Sequence, residues 1–427
     1  MAQDPTAARS HALSLARFID ASPSPFHVVA TGIELLEAAG YSAVDPDATG
    51  GTTGQRYHSR DGSLFAWRAP EGLAPGSPLR LVGAHTDSPN LRLKPHPDAD
   101  AHGYRRLGVE VYGGVLLNSW LDRDLGFSGR VTVRKSSDEA DVHLVHVGKP
   151  VLRIPQLAIH LDRAISEKGL LLNKQLHMAP IYGRGESTGV YSVIADTIGV
   201  SHNDILATEL MLHDTSPSTL LGVDEEFLSA PRLDNQLSCH AALTALAGVG
   251  GDEAISMVAL FDHEEVGSVS HTGAATAGLP RLLAQINADL GGDSNTLSRS
   301  LNDGLCVSAD NAHATHPNYA DRHEPAHHIA MNAGPALKHN ANQRYTTDAV
   351  TAAKFYLAAE RAGVRTQAFV NRTDLRCGST IGPTLAASLG MRALDVGCPQ
   401  LAMHSCRELA GANDPWDLTL LLAELLR

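Results

Sequence analysis

Acidic and imidazole side chains follow several apolar runs of the sequence directly. His85 and Asp87 stand two residues apart in GAHTDSP, and Glu264 and Glu265 are adjacent in FDHEEVGS. Two neighbouring carboxylates at the end of a buried strand repel each other unless a cation or a shared proton compensates them. A metal site resolves this conflict, because one glutamate can then bind the metal while the other faces the attacking water as general base. A solvated acidic turn is the alternative interpretation.

Asp87 is spaced so that it can hydrogen-bond the His85 ring nitrogen that does not bind a metal. Such a contact fixes the tautomer of the imidazole and raises its basicity. The H-x-D pattern is short and common. Taken alone, it is as typical of an ordinary loop histidine beside an acid as of a metal-binding histidine. Its interpretation as part of a catalytic site therefore depends on further ligands elsewhere in the chain.

Three further groups supply those ligands. Asp234 stands in RLDNQ, Asp310 in SADNAH and His404 in AMHSC. Each alone is more often structural, and Asp234 alone is typical of a helix N-cap. Together with His85 and Glu265 they offer only oxygen and nitrogen ligands, with one imidazole for each metal if Asp234 bridges. That donor set suits two Zn²⁺ ions about 3.5 to 4 Å apart, and it predicts metal-assisted hydrolysis.

Short apolar runs precede most of these groups and predict buried strands that end at the polar residues. They cover residues 79–84, 255–261, 305–309 and 393–397. Helical patterns accompany them at residues 5–19, with Asp4 and Pro5 at the start, at 26–39 before Gly40, at 236–247 and at 347–362. This alternation predicts an α/β sheet with its ligands beyond the strand ends.

The segment from residue 96 to 230 has a different pattern. Its short alternating runs, among them GVEVYGGVLL, GRVTVRK and DVHLVHVGKP, are separated by Gly-rich turns and predict antiparallel β-structure. We interpret 96–230 as a domain inserted into a discontinuous α/β domain of residues 1–95 and 231–427. Two domains also agree with the length of 427 residues, because single cores stop growing near about 250 residues.

Charge and composition limit the classes of partner that we expect the protein to bind. The formal net charge of -13 argues against nucleic acid and anionic membranes, which both need a basic surface, so peptides or small solutes are expected. No run approaches the roughly 18 consecutive apolar residues that span a bilayer, and we expect no signal peptide. The five scattered cysteines contain no C-x-x-C pair and predict a reduced, cytoplasmic setting.

The sequence resembles the M18 family of metallopeptidases, the aspartyl aminopeptidases, over nearly its whole length. The resemblance rests on a series of segments in order: FHVV, GAHTDSPNLRLKP, YGGVLLNSWLDRDLGFSGRV, RIPQLAIHLDR, RLDNQ, FDHEEVGS, SADNAHATHPNY, NQRYTTDAV, GSTIGP and PQLAMHSCRE. It implies a zinc-peptidase α/β/α sandwich domain with an inserted β-rich dimerisation domain. It also implies homodimers that assemble into a tetrahedral homododecamer.

The resemblance further implies two zinc ligand sets that share one bridging carboxylate. The sets are His85, Asp234 and Asp310 for one ion, and Asp234, Glu265 and His404 for the other. Co²⁺ or Mn²⁺ is expected to be able to replace zinc at one site. These sets agree with the interpretation drawn from residue types alone.

The catalytic positions of the family also have counterparts. Glu264 matches the general base, and Asp87 matches the acid behind the metal-binding histidine. Cys406 departs from the pattern, which has a bulkier aliphatic residue there, but it is not a proposed ligand. The roles predicted from the residues and those implied by the family are therefore the same.

Substrate-binding residues are implied by the resemblance rather than by spacing. His160 in RIPQLAIHLDR is expected to enter the active site of the partner subunit and contact substrate, with a direct zinc role as the open alternative. Lys338 in GPALKHN is the candidate cation for an acidic side chain, because a buried carboxylate needs a charged partner. His313 and Tyr345 are the other expected substrate contacts.

The predicted function is hydrolysis of N-terminal Asp and Glu from peptides, with Glu264 as general base. A broad-specificity aminopeptidase of the related two-metal M42 type would share the ligand series, although RIPQLAIH and NQRY weigh against it. An inactive assembly or cargo protein of the same fold is the remaining alternative. The intact ligands and the intact Glu264 argue against that alternative.

Overall fold

The structure is a computed structural model that describes residues 5–45, 50–186 and 188–427. The chain forms two compact units. The first unit comprises Met1–Asp87, Ser218–Met403 and Glu408–Arg427, and the second comprises Ser88–Pro217 and His404–Arg407. Asp4, expected at the start of the first helix, lies outside the described residues.

The four predicted helices are present, and the described ranges contain further helices that were not predicted. Within the described ranges the helices are α1 (Pro5–Ala21), α2 (Pro25–Ala38), α3 (Ile165–Lys168), α4 (Val190–Ile198), α5 (Leu233–Gly248), α6 (Gly278–Asp289), α7 (Ser294–Asn302), α8 (Ala349–Ala362), α9 (Ile381–Leu389) and α10 (Asp414–Leu426). Short 3₁₀ turns occur at Leu117–Trp120, His202–Asp204, Glu264–Val266 and Ala320–Arg322. None of the helices described is long and apolar enough to cross a membrane.

The strands fall into three sheets. They are β1 (Ser42–Ala43), β2 (Gly54–Arg60), β3 (Ser63–Ala69), β4 (Leu79–His85), β5 (Asn90–Ala101), β6 (Tyr104–Tyr112), β7 (Leu125–Arg134), β8 (Ala140–Leu152), β9 (Ile181–Arg184), β10 (Ile205–Asp214), β11 (Thr219–Leu221), β12 (Phe227–Ala230), β13 (Ile255–Phe261), β14 (Leu305–Ala309), β15 (Ala312–His313), β16 (Ala336–His339), β17 (Gln367–Val370), β18 (Ala393–Gly397), β19 (Pro399–Leu401) and β20 (Glu408–Gly411).

The main sheet of the first unit has the order β1-β2-β3-β13-β4-β14-β18-β16-β17. Its central neighbours β13, β4, β14 and β18 run parallel. These are the four strands predicted from the apolar runs, and the α/β prediction is confirmed. Because β13 and β14 flank β4 on opposite sides, the loops after these strands diverge at one edge, which is where α/β sheets bind ligands.

Helices cover both faces of this sheet, because its central strands are apolar on both sides. In β4, Leu81 packs in one cluster with α6 and α9, while Val82 packs in another with α1, α2, α5, α8 and α10. Alternate residues of a strand point to opposite faces, so a strand between two helical layers must be apolar throughout. The first unit is therefore the expected α/β/α sandwich.

The second unit is built on an antiparallel sheet of order β8-β7-β10-β5-β6-β9. The sequence predicts an insertion at 96–230, whereas this unit spans Ser88–Pro217. The difference has two causes. Residues 90–101 form the single strand β5, and β11 and β12 join β20, β19 and β15 in a smaller sheet of the first unit. The dimerisation role of the unit stays a prediction.

Asp234 does not cap α5, so the N-cap interpretation is wrong. Arg232 occupies the cap position in a left-handed conformation, with φ of 54°, and Asp234 lies inside the first turn with non-helical backbone angles. The peptide bond between Asp234 and Asn235 is cis.

A fully buried carboxylate in β18 holds two loops of the first unit. Asp395 accepts hydrogen bonds from the Thr346 backbone N–H, at 2.6 Å, and from the Thr346 and Thr380 hydroxyls. Thr347 accepts the backbone N–H of Asp395 at 3.0 Å. A buried charge is tolerated when it is hydrogen-bonded in this way. Asp395 thereby fixes the loop that carries Tyr345.

Two buried histidines pack between α1, α5 and α10. The rings of His11 and His240 lie 4.7 Å apart, and hydroxyls of Thr419 and Ser14 hydrogen-bond their Nε2 atoms. Burial lowers the pKa of His11 to about 4. Burial, followed by the charges of His11 and Arg17, lowers the pKa of His240 to about 3. Both rings are therefore neutral in the folded protein at neutral pH.

We expect Asp395→Asn to lower the free energy of unfolding by about 2 to 4 kcal/mol, because hydrogen bonds to a buried charge are lost. Urea unfolding of the variant and of the exposed control Asp303→Asn measures the difference. A loss for Asp395→Asn no larger than that of the control would contradict the structural role.

The buried histidines predict a loss of stability in acid. Their folded-state pKa values lie below the unfolded value near 6.5, so the unfolded chain binds protons that the folded chain refuses. Stability is complete above pH 6.5 and falls as pH drops toward 4, by up to about 1.4 kcal/mol per pH unit for each ring. Melting temperatures between pH 7 and 5 should therefore fall less steeply for His240→Phe than for the unmodified protein. The exposed control His202→Phe should keep the original slope, and a His240→Phe slope equal to it would contradict the assignment.

Candidate functional site

The end of β4 delivers a buried histidine with a fixed tautomer. His85 Nδ1 lies 3.0 Å from the Asp87 carbonyl oxygen and 3.4 Å from Asp87 Oδ1. A carbonyl oxygen can only accept, so Nδ1 carries the proton and donates. The contact predicted between Asp87 and His85 is thus present mainly through the Asp87 backbone. In the neutral ring, Nε2 of His85 therefore keeps the lone pair.

The Asp87 carboxylate has a second task that the sequence does not reveal. Its Oδ1 accepts the backbone N–H of Glu264 at 3.0 Å, and its Oδ2 accepts that of Glu265 at 3.1 Å. Asp87 is fully buried, so these charge-assisted hydrogen bonds form away from water. The end of β4 therefore sets the position of both glutamates after β13.

Carboxylates from three chain segments converge on His85 Nε2. Asp234 Oδ1 lies 3.4 Å away, and Glu264 Oε2 and Asp310 Oδ1 each lie 3.9 Å away. Burial alone would lower the pKa of His85, but Asp234, Asp310, Asp87 and Glu264 outweigh it and raise that pKa well above 6.5. Potential ligand atoms of His85, Asp234 and Asp310 lie within 4.8 Å of one another.

The two glutamates occupy a short 3₁₀ turn between left-handed residues. His263 has φ of 63° and precedes Glu264, while Gly267 ends the turn. Burial raises the pKa of Glu264 to about 8; the charge of His85 opposes this shift, and the carboxylates of Asp310, Glu265 and Asp87 add to it. His85, Glu264 and Glu265 form a second potential metal-binding group. The role of Glu264 as general base, rather than as a metal ligand, stays a prediction.

The donor set fits a metal ion. The lone pair of His85 Nε2 points at negatively charged oxygens, an arrangement that repels unless a proton or a cation lies between them. The atoms available are carboxylate oxygen and imidazole nitrogen, which zinc accepts in hydrolytic sites. The geometry of Asp234, Asp310, Glu265 and His85 is therefore compatible with bound zinc.

His404 belongs to the second unit and also has a fixed tautomer. Its Nδ1 lies 3.1 Å from the Gly114 carbonyl oxygen, so Nδ1 donates and Nε2 keeps a lone pair. Its backbone has φ of 67°, an uncommon conformation for a residue other than glycine. Ligation of a metal by His404 together with Asp234 and Glu265 stays a prediction.

Lys338 lies beside one of the predicted metal ligands. Its Nζ donates to the carbonyl oxygens of Asp310 and Asn311, both at 2.9 Å, and lies 4.0 Å from Asp310 Oδ2. The side chain is only 2% exposed. Two of its three N–H groups are thus used by the backbone, which the sequence could not indicate. Lys338 anchors the Asp310 loop as well as placing a positive charge there.

The other predicted substrate residues divide between the units. Tyr345 is buried, with Lys338 Nζ 4.9 Å from its ring centre, and its ring and the exposed ring of His313 each lie 6.2 Å from Phe369. His160 is exposed in the second unit and belongs to no potential metal-binding group of the described residues. Its proposed contact with a partner subunit stays a prediction.

One residue that supports the site could not be identified from the sequence. Glu408 is buried, and its Oε2 accepts the backbone N–H of Asp234 at 2.9 Å while its Oε1 contacts Gln400. The positions are 174 residues apart, and no local pattern links them. A charged residue at the start of a short strand was the available signal, and it is too common to be specific.

Comparisons with known proteins identify the family of this chain. Residues 18–425 match the family model described as Aminopeptidase I zinc metalloprotease (M18). A probable M18 family aminopeptidase 2 of Streptomyces coelicolor is 46% identical over 427 residues and 98% of each chain.

Solved structures give the same result. Superposition on the Ape4 and Nbr1 complex gives a TM-score of 0.95 at 37% identity, covering 98% of this chain and 86% of the other. The mApe1 dodecamer of S. cerevisiae gives 0.85 at 28% identity, covering 97% and 96%. The match of the family model to nearly the whole chain establishes that this protein belongs to the M18 family of zinc aminopeptidases.

Proposed function

We propose that this aminopeptidase binds two zinc ions and removes N-terminal Asp and Glu residues from peptides. The observation that carries the proposal is the convergence of Asp234, Glu264 and Asp310 on His85 Nε2, beside the buried cation of Lys338. Carboxylates this close together need cations, and a cation beside them favours an anionic substrate.

His85, Asp234 and Asp310 would hold one zinc ion, and Asp234, Glu265 and His404 the other. When bound, zinc supplies a Lewis acid that polarises the scissile carbonyl and makes water a stronger acid. The tautomers support this assignment, because both histidines donate through Nδ1 and keep Nε2 for a ligand. Replacement of zinc by Co²⁺ or Mn²⁺ at one site belongs to the same proposal.

Glu264 acts as the proton carrier in this proposal. Its pKa of about 8 without a metal reflects burial among other carboxylates, so it holds a proton readily at neutral pH. A bound cation would lower that pKa toward the working range of a general base. Glu264 then accepts a proton from the attacking water and gives it to the leaving amine. Asp87 positions it through the Glu264 backbone N–H.

The α-amino group and the first side chain of the substrate would each bind beside protein groups of opposite charge. A protonated α-amino group would bind near Glu264 and Asp310, which explains why an exopeptidase gathers carboxylates in a buried site. An acidic first side chain would face Lys338, with His313, Tyr345 and the partner subunit's His160 as further contacts. Acidic substrates require this cation, because the surrounding carboxylates would otherwise repel them.

The geometry of Lys338 favours a second candidate function, a broad-specificity aminopeptidase. Two of its N–H groups already serve the Asp310 and Asn311 carbonyls, and only 2% of the residue is exposed. A lysine used as a structural anchor would leave the first side-chain pocket without a dedicated cation. Substrate preference distinguishes the two functions.

We also propose a cytoplasmic homodimer that assembles into a homododecamer through the second unit. The support is the similarity to the mApe1 dodecamer, which covers 97% of this chain. Exposed apolar side chains near His160 give that unit a surface for self-association, including Leu161 at 76% and Leu171 at 79% exposure. Peptides are the proposed substrates.

The specificity is tested with peptides that differ only in the first residue. Asp and Glu peptides should be cleaved at least about tenfold more efficiently than Asn and Gln peptides, because one charge-assisted contact contributes at least that factor. Removing metal with a chelator should abolish turnover, and zinc should restore it. Equal rates on Asp and Asn peptides, or faster cleavage of Leu and Ala peptides, would establish the broad-specificity candidate instead.

Replacement of Glu264 by Gln tests the proton transfer. We expect Glu264→Gln to lower kcat about 10²- to 10⁴-fold, since it retains the size but not the basicity of the side chain. Zinc content, measured by atomic absorption, should stay at two ions per chain, and the exposed control Glu360→Gln should keep full activity. Unchanged kcat would remove Glu264 from this role, and loss of one zinc would make it a ligand.

A further inference from the structure

A polar cavity lies in the first unit between the loops that follow β16 and β17. Its volume is about 510 Å³, within the range typical of ligand pockets. The residues that matter for its charge and shape are Asn340, Arg344, Asn371, Arg372, Arg376 and Cys377. None of these residues has a role in the reaction proposed above.

The cavity carries positive charge that its surroundings do not neutralise. Arg372 is neutralised by Asp374, with Nε–Oδ1 and Nη2–Oδ2 distances of 2.7 and 3.0 Å. Arg344 and Arg376, in contrast, form no ion pair with any residue of the described ranges, and both are exposed. Two cations concentrated at one cavity stand out in a chain of formal net charge -13.

Both loops are held in shape by their own asparagines. Asn340 Oδ1 accepts the backbone N–H of Asn342 at 3.0 Å and that of Arg344 at 3.4 Å. Asn371 Nδ2 donates to the carbonyl oxygens of Arg372 and Leu375, both at 3.1 Å. Such contacts order short loops, so the backbones that carry the arginines are fixed before any ligand arrives.

A continuous row of side chains joins this cavity to the metal ligands. Cys377 lines the cavity and packs against the apolar cluster that contains Tyr345. Lys338 Nζ lies 4.9 Å from the centre of the Tyr345 ring and 4.0 Å from Asp310 Oδ2. Tyr345 is only 5% exposed, and it does not line the cavity itself. The cavity therefore neighbours the site but is separate from the Lys338 position.

We propose that Arg344 and Arg376 form a subsite that binds a carboxylate of the peptide downstream of the cleaved bond. The ligand chemistry is a carboxylate, supplied by an acidic side chain or by the peptide C-terminus. Arginine presents a planar fork of donors that matches a carboxylate in two-point contact. The identity of the ligand as a peptide rests on the proposed peptidase function.

The placement favours a downstream carboxylate over that of the first residue. The first side chain is expected beside Asp310 and Lys338, and neither of these residues lines the cavity. An extended peptide advances about 3.3 to 3.6 Å per residue, so a few further residues suffice to reach a neighbouring cavity. The subsite would thus select for acidic peptides independently of the residue removed.

Four peptides with the same first residue test the subsite. They are Asp-Ala-Ala-Ala amide, Asp-Ala-Gln-Ala amide, Asp-Ala-Glu-Ala amide and Asp-Ala-Ala-Ala with a free C-terminus. For the unmodified protein we expect KM to be about tenfold lower for at least one carboxylate peptide than for its uncharged counterpart. The double variant Arg344→Gln/Arg376→Gln should lose this difference and keep kcat on the uncharged amides. Arg299→Gln, which removes one exposed positive charge on α7, is the control and should retain it.

The outcomes separate the subsite from the proposed specificity. Each comparison is made within one first residue, so a parallel Leu series gives the same answer if the protein prefers Leu. If no peptide is cleaved, calorimetric titration with acetyl-Ala-Glu-Glu-Ala amide, compared with its Gln counterpart, measures binding directly.

Loss of the difference between charged and uncharged peptides in the double variant alone supports the subsite. An equal KM or affinity for charged and uncharged peptides, a difference that survives the double variant, or one lost in Arg299→Gln would overturn it.

Discussion

The repulsion among the carboxylates around His85 is the constraint on which the rest of the site depends. Asp234 Oδ1, Glu264 Oε2 and Asp310 Oδ1 all lie within 3.9 Å of His85 Nε2. Such a cluster is held together by the backbone that delivers it, because the charges alone would drive it apart. Adjacent parallel strands provide that rigidity, and Asp87 ties the loop after β13 to the end of β4.

The fold of the first unit could be predicted because its central strands are buried on both faces. Such strands appear in the sequence as unbroken apolar runs, and all four such runs proved to be neighbouring parallel strands. The limits of the second unit could not be predicted with equal accuracy. Residues 90–95 and 219–230 are β-structure in either case, and only pairing with distant strands assigns them to a unit.

The residue types of the candidate site could be predicted from the sequence, but the residues that hold them in place could not. His85, Glu264 and Asp310 follow predicted strands, and Asp234 precedes a predicted helix, so the sequence places each of them at the end of an element. Glu408 supports Asp234, and Asp395 supports the loop of Thr346, through contacts with residues 174 and 49 positions away. Lys338 is a further example. Its positive charge could be recognised from the sequence, but its hydrogen bonds to the Asp310 and Asn311 carbonyls depend on tertiary structure.

Selection of acidic substrates by such a site poses an electrostatic problem. The carboxylates that hold the metal ions also repel an acidic side chain, and the chain as a whole carries a formal charge of -13. Two bound zinc ions would offset the local carboxylates, and Lys338 beside Asp310 adds one further positive charge. Positive charge at Arg344 and Arg376 acts further along the peptide, where the carboxylates of the site no longer compete.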